Sequence, residues 1–169
     1  PVLAAAGLVV ALGSGVLYAI HATKPLRGDP VTISFDSEEE VRKVVPEFLG
    51  QMGWSVANGM LNSGAVSLQV NYPVTELIGT FDGNGSVEII GGTFGREEYR
   101  IESRDGDIEF YRGDQLVGRA EGASRRRVII SYNDELRASV GEEKFMLGSE
   151  IPRSATLRNF DVDRITLKR

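Results

Sequence analysis

Carboxylates are the only abundant reactive side chains in this sequence. It holds 24 Asp and Glu, a single histidine at position 21 and no cysteine. Without cysteine there are no disulfides, no thiolate metal ligands and no sulfur nucleophile. A Ser/His/Asp or Cys/His set needs a histidine within reach, and His21 is the only one. The carboxylates show no spacing of a calcium-binding loop. Acid–base chemistry by carboxylates alone is what remains, and pairs drawn from different strands leave no mark in sequence spacing. These residue types point away from an enzyme, and no catalytic residue, metal or cofactor is expected.

Other motifs read more plainly as structure. Gly91-Gly92-Thr93-Phe94-Gly95 is glycine-rich, but it leads into a strand pattern and not a helix N-terminus, so it reads as a bulge or wide turn rather than a phosphate loop. Arg112-Gly113-Asp114 and Asn84-Gly85-Ser86 match an adhesion tripeptide and a glycosylation acceptor, and both fall in turn sequences. Arg125, Arg126 and Arg127 form the one basic run. With Lys24 and Arg27 they are the candidate contacts for lipid headgroups or an acidic partner. His21 is a minor candidate ligand for a metal or tetrapyrrole.

The element that places these groups is the first stretch, residues 1–21, which carries no Lys, Arg, Asp or Glu. Val2 to Ile20 is about 19 apolar or small residues, or about 28 Å of helix, near the hydrocarbon thickness of a bilayer. It reads as one transmembrane helix. The lack of a basic opening segment argues against a cleaved signal peptide. Gly7, Ala11, Gly15 and Ala19 recur every fourth residue and form a stripe of small side chains, which lets another helix approach closely in lipid. Lys24 and Arg27 follow the span, so the positive-inside rule puts the following domain on the cytoplasmic face.

Residues 22–30, with Pro25, Gly28 and Pro30, form a short linker that holds the domain near the membrane. Residues 31–169 are then one water-facing domain, large enough for its own core. After a strand at Val31–Phe35, Ser37 and Glu40 have capping-box spacing. Val41, Val44, Val45, Phe48 and Leu49 make one face of an amphipathic helix. Trp54 is expected to pack that helix on the sheet.

From there the helical period gives way to strand-length segments separated by turn signals. Strands are expected near residues 54–58, 65–71, 76–81, 86–90, 97–103, 108–112, 116–121, 127–132, 136–140, 144–147, 156–160 and 163–168. Asp82-Gly83-Asn84-Gly85 and Asp105-Gly106 are the clearest turn signals. The fold expected is α+β and mostly β: a transmembrane helix, then an antiparallel curled sheet or partly closed barrel with one amphipathic helix.

Charge limits the partners. The net charge is −5, and Asp29 to Ala123 holds 17 acidic residues against 7 basic ones. That body is wrong for nucleic acid, which needs phosphate-neutralising surface. The expected role is a single-pass accessory or assembly subunit of a larger integral-membrane complex, an energy-converting one being the natural host. Its partners would be other membrane subunits and the lipid around the span. The alternatives are a membrane-held barrel for a lipid or other hydrophobic ligand, and a hydrolase working with carboxylates alone.

Overall fold

The computed structural model describes residues 29–37, 39, 55–62, 64, 68–70, 73–92 and 97–168. The expected span, its small-residue stripe, His21, Lys24, Arg27 and Trp54 lie outside these residues. So does nearly all of the expected amphipathic helix.

Twelve strands follow in chain order: β1 Pro30–Ser34, β2 Ser55–Ala57, β3 Met60–Asn62, β4 Leu68–Val70, β5 Val74–Gly91, β6 Glu97–Arg104, β7 Asp107–Arg112, β8 Gln115–Ala120, β9 Val128–Asn133, β10 Glu135–Val140, β11 Glu143–Gly148 and β12 Pro152–Lys168. All pairings are antiparallel.

Two long strands organise the sheet. β5 and β12 pair along nearly their whole length, and every other part hangs on them. Residues 85–91 of β5 carry β6, and β7 and β8 follow as a meander. Residues 76–79 of β5 carry β9, and β10 and β11 follow as a second meander. On its other side β12 receives β1, β3 and β4.

The ribbon bends where the two meanders part company. Between the pairs Ser86↔Arg158 and Phe81↔Phe160, residues 82–85 of β5 face Asn159 alone. Asn159 takes positive φ (49°), as does Gly83 (82°). The Asn159 side-chain amide donates to the Asn84 carbonyl at 2.7 Å. Asp82-Gly83-Asn84-Gly85 is therefore an extended bulge inside one strand, not the tight hairpin its composition suggests. Surplus residues on one strand bend it and increase its twist. For the same reason the two expected strands near 156–160 and 163–168 are one continuous β12.

The bend lets the two meanders face each other over one core. Phe110 of β7 stacks on Phe145 of β11, with ring centroids 4.2 Å apart. Phe81 and Phe160 meet edge to face at 4.8 Å beside the bend. Each meander also makes room for a ring from the other. A Cβ on Gly118 of β8 would strike the Phe145 ring, and one on Gly148 of β11 would strike Tyr99 of β6. No pairing joins β8 to β11 among the described residues, so the sheet is open and folded over, not closed into a barrel.

The tight connections follow backbone chemistry. Asp105 and Gly106 both have positive φ, as a two-residue hairpin turn needs. Asn58 and Gly59 do the same between β2 and β3. Gly113 has positive φ (55°) in the expected turn at Arg112-Gly113-Asp114.

Candidate functional site

The most concentrated polar chemistry lies on the first meander. At the ends of β6 and β7, Glu97, Glu98, Arg112, Gly113 and Asp114 line an open cleft of about 350 Å³. β6 presents alternate residues inward, so Tyr99 and Ile101 enter the core while Glu98, Arg100 and Glu102 face out. The Tyr99 ring is fully buried. Its hydroxyl donates to Glu97 Oε2 at 2.9 Å. Arg112 completes the knot with a fork, Nε to Oε2 at 3.1 Å and Nη2 to Oε1 at 2.8 Å.

This knot fixes charge. The Arg112 and Tyr99 hydrogen bonds hold the Glu97 carboxyl below the ordinary glutamate range. The same carboxylate keeps Arg112 firmly cationic. Burial, then the Glu97 bond, pushes the Tyr99 phenol up to about 12. Near neutral pH the cleft presents a locked ion pair, held from the core side by a neutral phenol.

The outward face beside it is an ion-paired lattice. Arg100 lies between Glu98 (3.6 Å) and Glu102 (2.7 Å), with its guanidinium 4.8 Å over the Tyr111 ring. The short approach of Arg100 Nε to Glu102 is an ion pair without the alignment of a hydrogen bond. Tyr111 donates to Glu109 Oε2 at 2.7 Å, and that bond raises the phenol's pKa. Arg119 grips Asp107 through two nitrogens and lies 3.7 Å from Glu109. The Gly122 amide and Arg119 hold the Asp107 carboxyl below its usual range.

One carboxylate is shifted the other way. Asp161, on the outer side of β12 near the bend, is raised by burial and by the nearby Asp82 charge. Its Oδ1 is buried without a hydrogen-bond partner.

The basic run lies elsewhere. Arg125, Arg126 and Arg127 are exposed in the loop before β9. Arg127 pairs with Asp163. Asp163 is five residues along β12 from Lys168, the partner of Pro30 where the chain enters the domain. That separates Arg127 from the entry point by about 16 Å of strand at about 3.3 Å per residue. Lys24 and Arg27, the other members of the expected cation set, lie outside the described residues.

Sequence reasoning missed the Glu97–Tyr99–Arg112 knot. Glu97 and Tyr99 share a face by spacing, but the register that brings Arg112 opposite Tyr99 is set by the Asp105-Gly106 turn. Counting outward from that turn would have found the pair. Among the described residues no group of three or more His, Cys, Asp or Glu is placed to hold a metal ion. No described helix is long and apolar enough to cross a membrane.

No family model matches the chain, and no curated protein matches it. Some solved structures resemble its fold. A β-glucanase of Bacillus licheniformis is 10% identical at a TM-score of 0.37, over 69% of this chain and 82% of that one. A native glycosidic hydrolase is 9% identical at 0.43, over 85% and 97%. CG-16, a homodimeric agglutinin from chicken liver, is 15% identical at 0.31, over 59% and 97%. Likeness this slight, at such low identity, assigns no activity to this chain.

Proposed function

We propose that this chain is a membrane-tethered accessory or assembly subunit of a larger integral-membrane complex, acting by contact and not by catalysis. The supporting observation is the state of the charged groups on the first meander. General acid–base catalysis works best with a group whose pKa lies near the operating pH. Glu97 and Asp107 are instead held down, and Tyr99 and Tyr111 are held up. Each is fixed in the form that best keeps its ion pair or hydrogen bond. Such a surface offers a partner a rigid pattern of charge at little ordering cost. The apolar first stretch supplies the tether, and its small-residue stripe supplies a helix-packing face.

The rival readings draw less from the fold. A barrel for a hydrophobic ligand needs an open interior, and here Phe81, Phe110, Phe145 and Phe160 fill the space between the half-sheets with ring contacts. A carboxylate hydrolase needs two inward acids in one cleft. Of the three cleft acids, Glu97 is locked to Arg112 and Glu98 and Asp114 are exposed at the rim, while Asp161 lies by the bend beside the exposed Asp82.

Gentle detergent extraction of the full chain from native membranes, with sizing and mass spectrometry of its companions, tests the reading. A stoichiometric assembly with other membrane proteins is expected, and Gly15→Leu should loosen it while leaving the domain's melting temperature unchanged. A chain of 18.4 kDa that travels alone, or only with copies of itself, sinks the proposal.

A further inference from the structure

A carboxylate drawn out of water needs a cation or hydrogen-bond donors to stay charged. Asp161 has neither at its inner oxygen. Oδ1 is buried and meets no donor, and no cation acts on the group among the described residues. Its cross-strand neighbours are uncharged, Thr80 on β5 and Asn62 on β3. The Asn62 side-chain oxygen is itself taken by the Gly64 amide at 2.8 Å. Asp82, exposed at the start of the bulge in β5, adds a second negative charge nearby. The other charges on this part of β12 are placed elsewhere. Asp163 pairs with Arg127, Arg164 pairs with Glu76, and Arg158 lies across the bend opposite Ser86. Burial and Asp82 both favour the neutral acid.

This acid stands at a thinly tied part of the sheet. Among the described residues β2 pairs with β3 alone, and β3 reaches β12 through two residue pairs, Asn62↔Asp161 and Leu61↔Val162. Just beyond them the Asn159 amide donates to the Gly64 carbonyl at 2.7 Å. The Asn159 side chain also holds Asn84 in the bulge, so the hairpin and the bend share one anchor. β6, by contrast, is paired to β5 all along Gly85 to Gly91. A segment with few pairings opens locally at less cost than the whole domain unfolds. Opening the β2–β3 hairpin removes Asn62 from beside Asp161 and lets water reach the carboxylate, which stabilises its charged form.

We propose that the β2–β3 hairpin is a proton-latched flap: it sits closed on β12 while Asp161 carries a proton, and it opens more often as Asp161 ionises. An acid whose pKa is higher in the closed form than in water binds its proton more tightly when closed. The stability this gives the closed flap is complete below the ordinary aspartate value of about 3.9 and is lost as pH rises through the raised value. Glu97 and Asp107 work in the opposite sense, losing stability as pH falls, and they lie on the first meander, away from the flap. The latch does not rest on the membrane-subunit reading, because every residue it uses lies in the β domain.

The test is amide hydrogen exchange of the full chain in mild detergent, with rates corrected for the intrinsic effect of pH. Protection of residues 55–62, measured against that of residues 97–104, should fall at least about threefold between about pH 4 and about pH 8. Asp161→Asn keeps the shape and removes the charge, so its flap should stay protected across the whole range. Asp82→Asn removes only the repelling neighbour, so the fall should persist but be smaller. Melting curves establish that Asp161→Asn is folded; if it is not, Asp82→Asn decides the question, and a fall undiminished there overturns the proposal. The proposal is also overturned by a flap whose relative protection is indifferent to pH, or by a fall that survives in folded Asp161→Asn.

Discussion

The meanders β6–β8 and β9–β11 share a topology, hang on the same ribbon and exchange rings across one core, but their outward faces differ. On the first, Arg100, Glu102, Asp107, Glu109, Tyr111 and Arg119 are linked into a lattice. On the second, Ile129, Ser131 and Ser139 occupy the corresponding outward positions, and the main ion pair is Arg137 with Glu135. The common core demands the same inward alternation from both. What each face meets outside is free to vary, and the contrast therefore lies in the outward residues.

The strongest way to break this picture is to show that the meanders do not share a core. Phe110→Ala should cost about 3–5 kcal/mol, the usual range for removing a fully buried ring. Phe145 is only partly buried, so its alanine variant should cost less. In either case thermal unfolding should remain a single transition; two resolved transitions would separate the meanders.

The exchanged glycines give the next largest effect. Gly118→Ala and Gly148→Ala each drive a methyl into the other meander's ring, and each should destabilise by about 1–3 kcal/mol. If one variant is neutral in chemical denaturation, the exchange is one-sided.

The tyrosines sharpen the contrast. Tyr99 is buried and bonded to Glu97, whereas Tyr132 makes only a long 3.4 Å bond to the Ser149 carbonyl. Tyr99→Phe should cost about 0.5–1.5 kcal/mol at neutral pH, and Tyr132→Phe less. A phenol raised in the fold gives stability that is complete below its unfolded pKa of about 10 and is lost as pH climbs through the folded value. For Tyr99 that loss runs up to about 12. Tyr111 and Tyr132 are raised too, but Tyr99 is the one pushed to about 12, so ultraviolet titration should lose its latest-ionising component in Tyr99→Phe; an unchanged titration curve would place that phenol elsewhere.

The smallest effect lies on the faces. Arg100→Met should cost up to about 1 kcal/mol, and less in high salt, because burial only partly shields its ion pairs from solvent screening. Arg137→Met, at an exposed pair, should change stability by only a few tenths of a kcal/mol. Equal costs, read from denaturation at low and high salt, would mean the lattice acts as separate surface pairs.

Much of both meanders can be read directly from the chain. Asp105-Gly106, Arg112-Gly113-Asp114 and Asn133-Asp134 separate strands of similar length, and most inward residues alternate with polar ones, Ile129 being an exception. Local signals carry that information because the partners are sequence neighbours. The ribbon is different. β1 pairs with β12 across most of the chain, and no local pattern announces it. Asp82-Gly83-Asn84-Gly85 has the composition of a hairpin but becomes a bulge, because Val87 and Ile89 continue onto the same partner strand as Leu77. Asn58-Gly59 is the reverse case: the reading runs a strand up to Asn58, yet that dipeptide carries the signature of the turn it forms. The cleft knot needed a strand register as well as residue types, so only its ingredients were visible.

The ribbon also sets an order in time. β12 follows every other described strand, and it is the strand that β1, β3, β4 and β5 all pair with. On a ribosome the two meanders can form as they emerge, since their contacts are local. The strands before them must wait, unpaired by β12, until residues 152–168 have emerged. A chain that stalls short of residue 152 would therefore leave several edges bare at once, and it is at that moment, not in the finished fold, that this protein most needs shelter from aggregation.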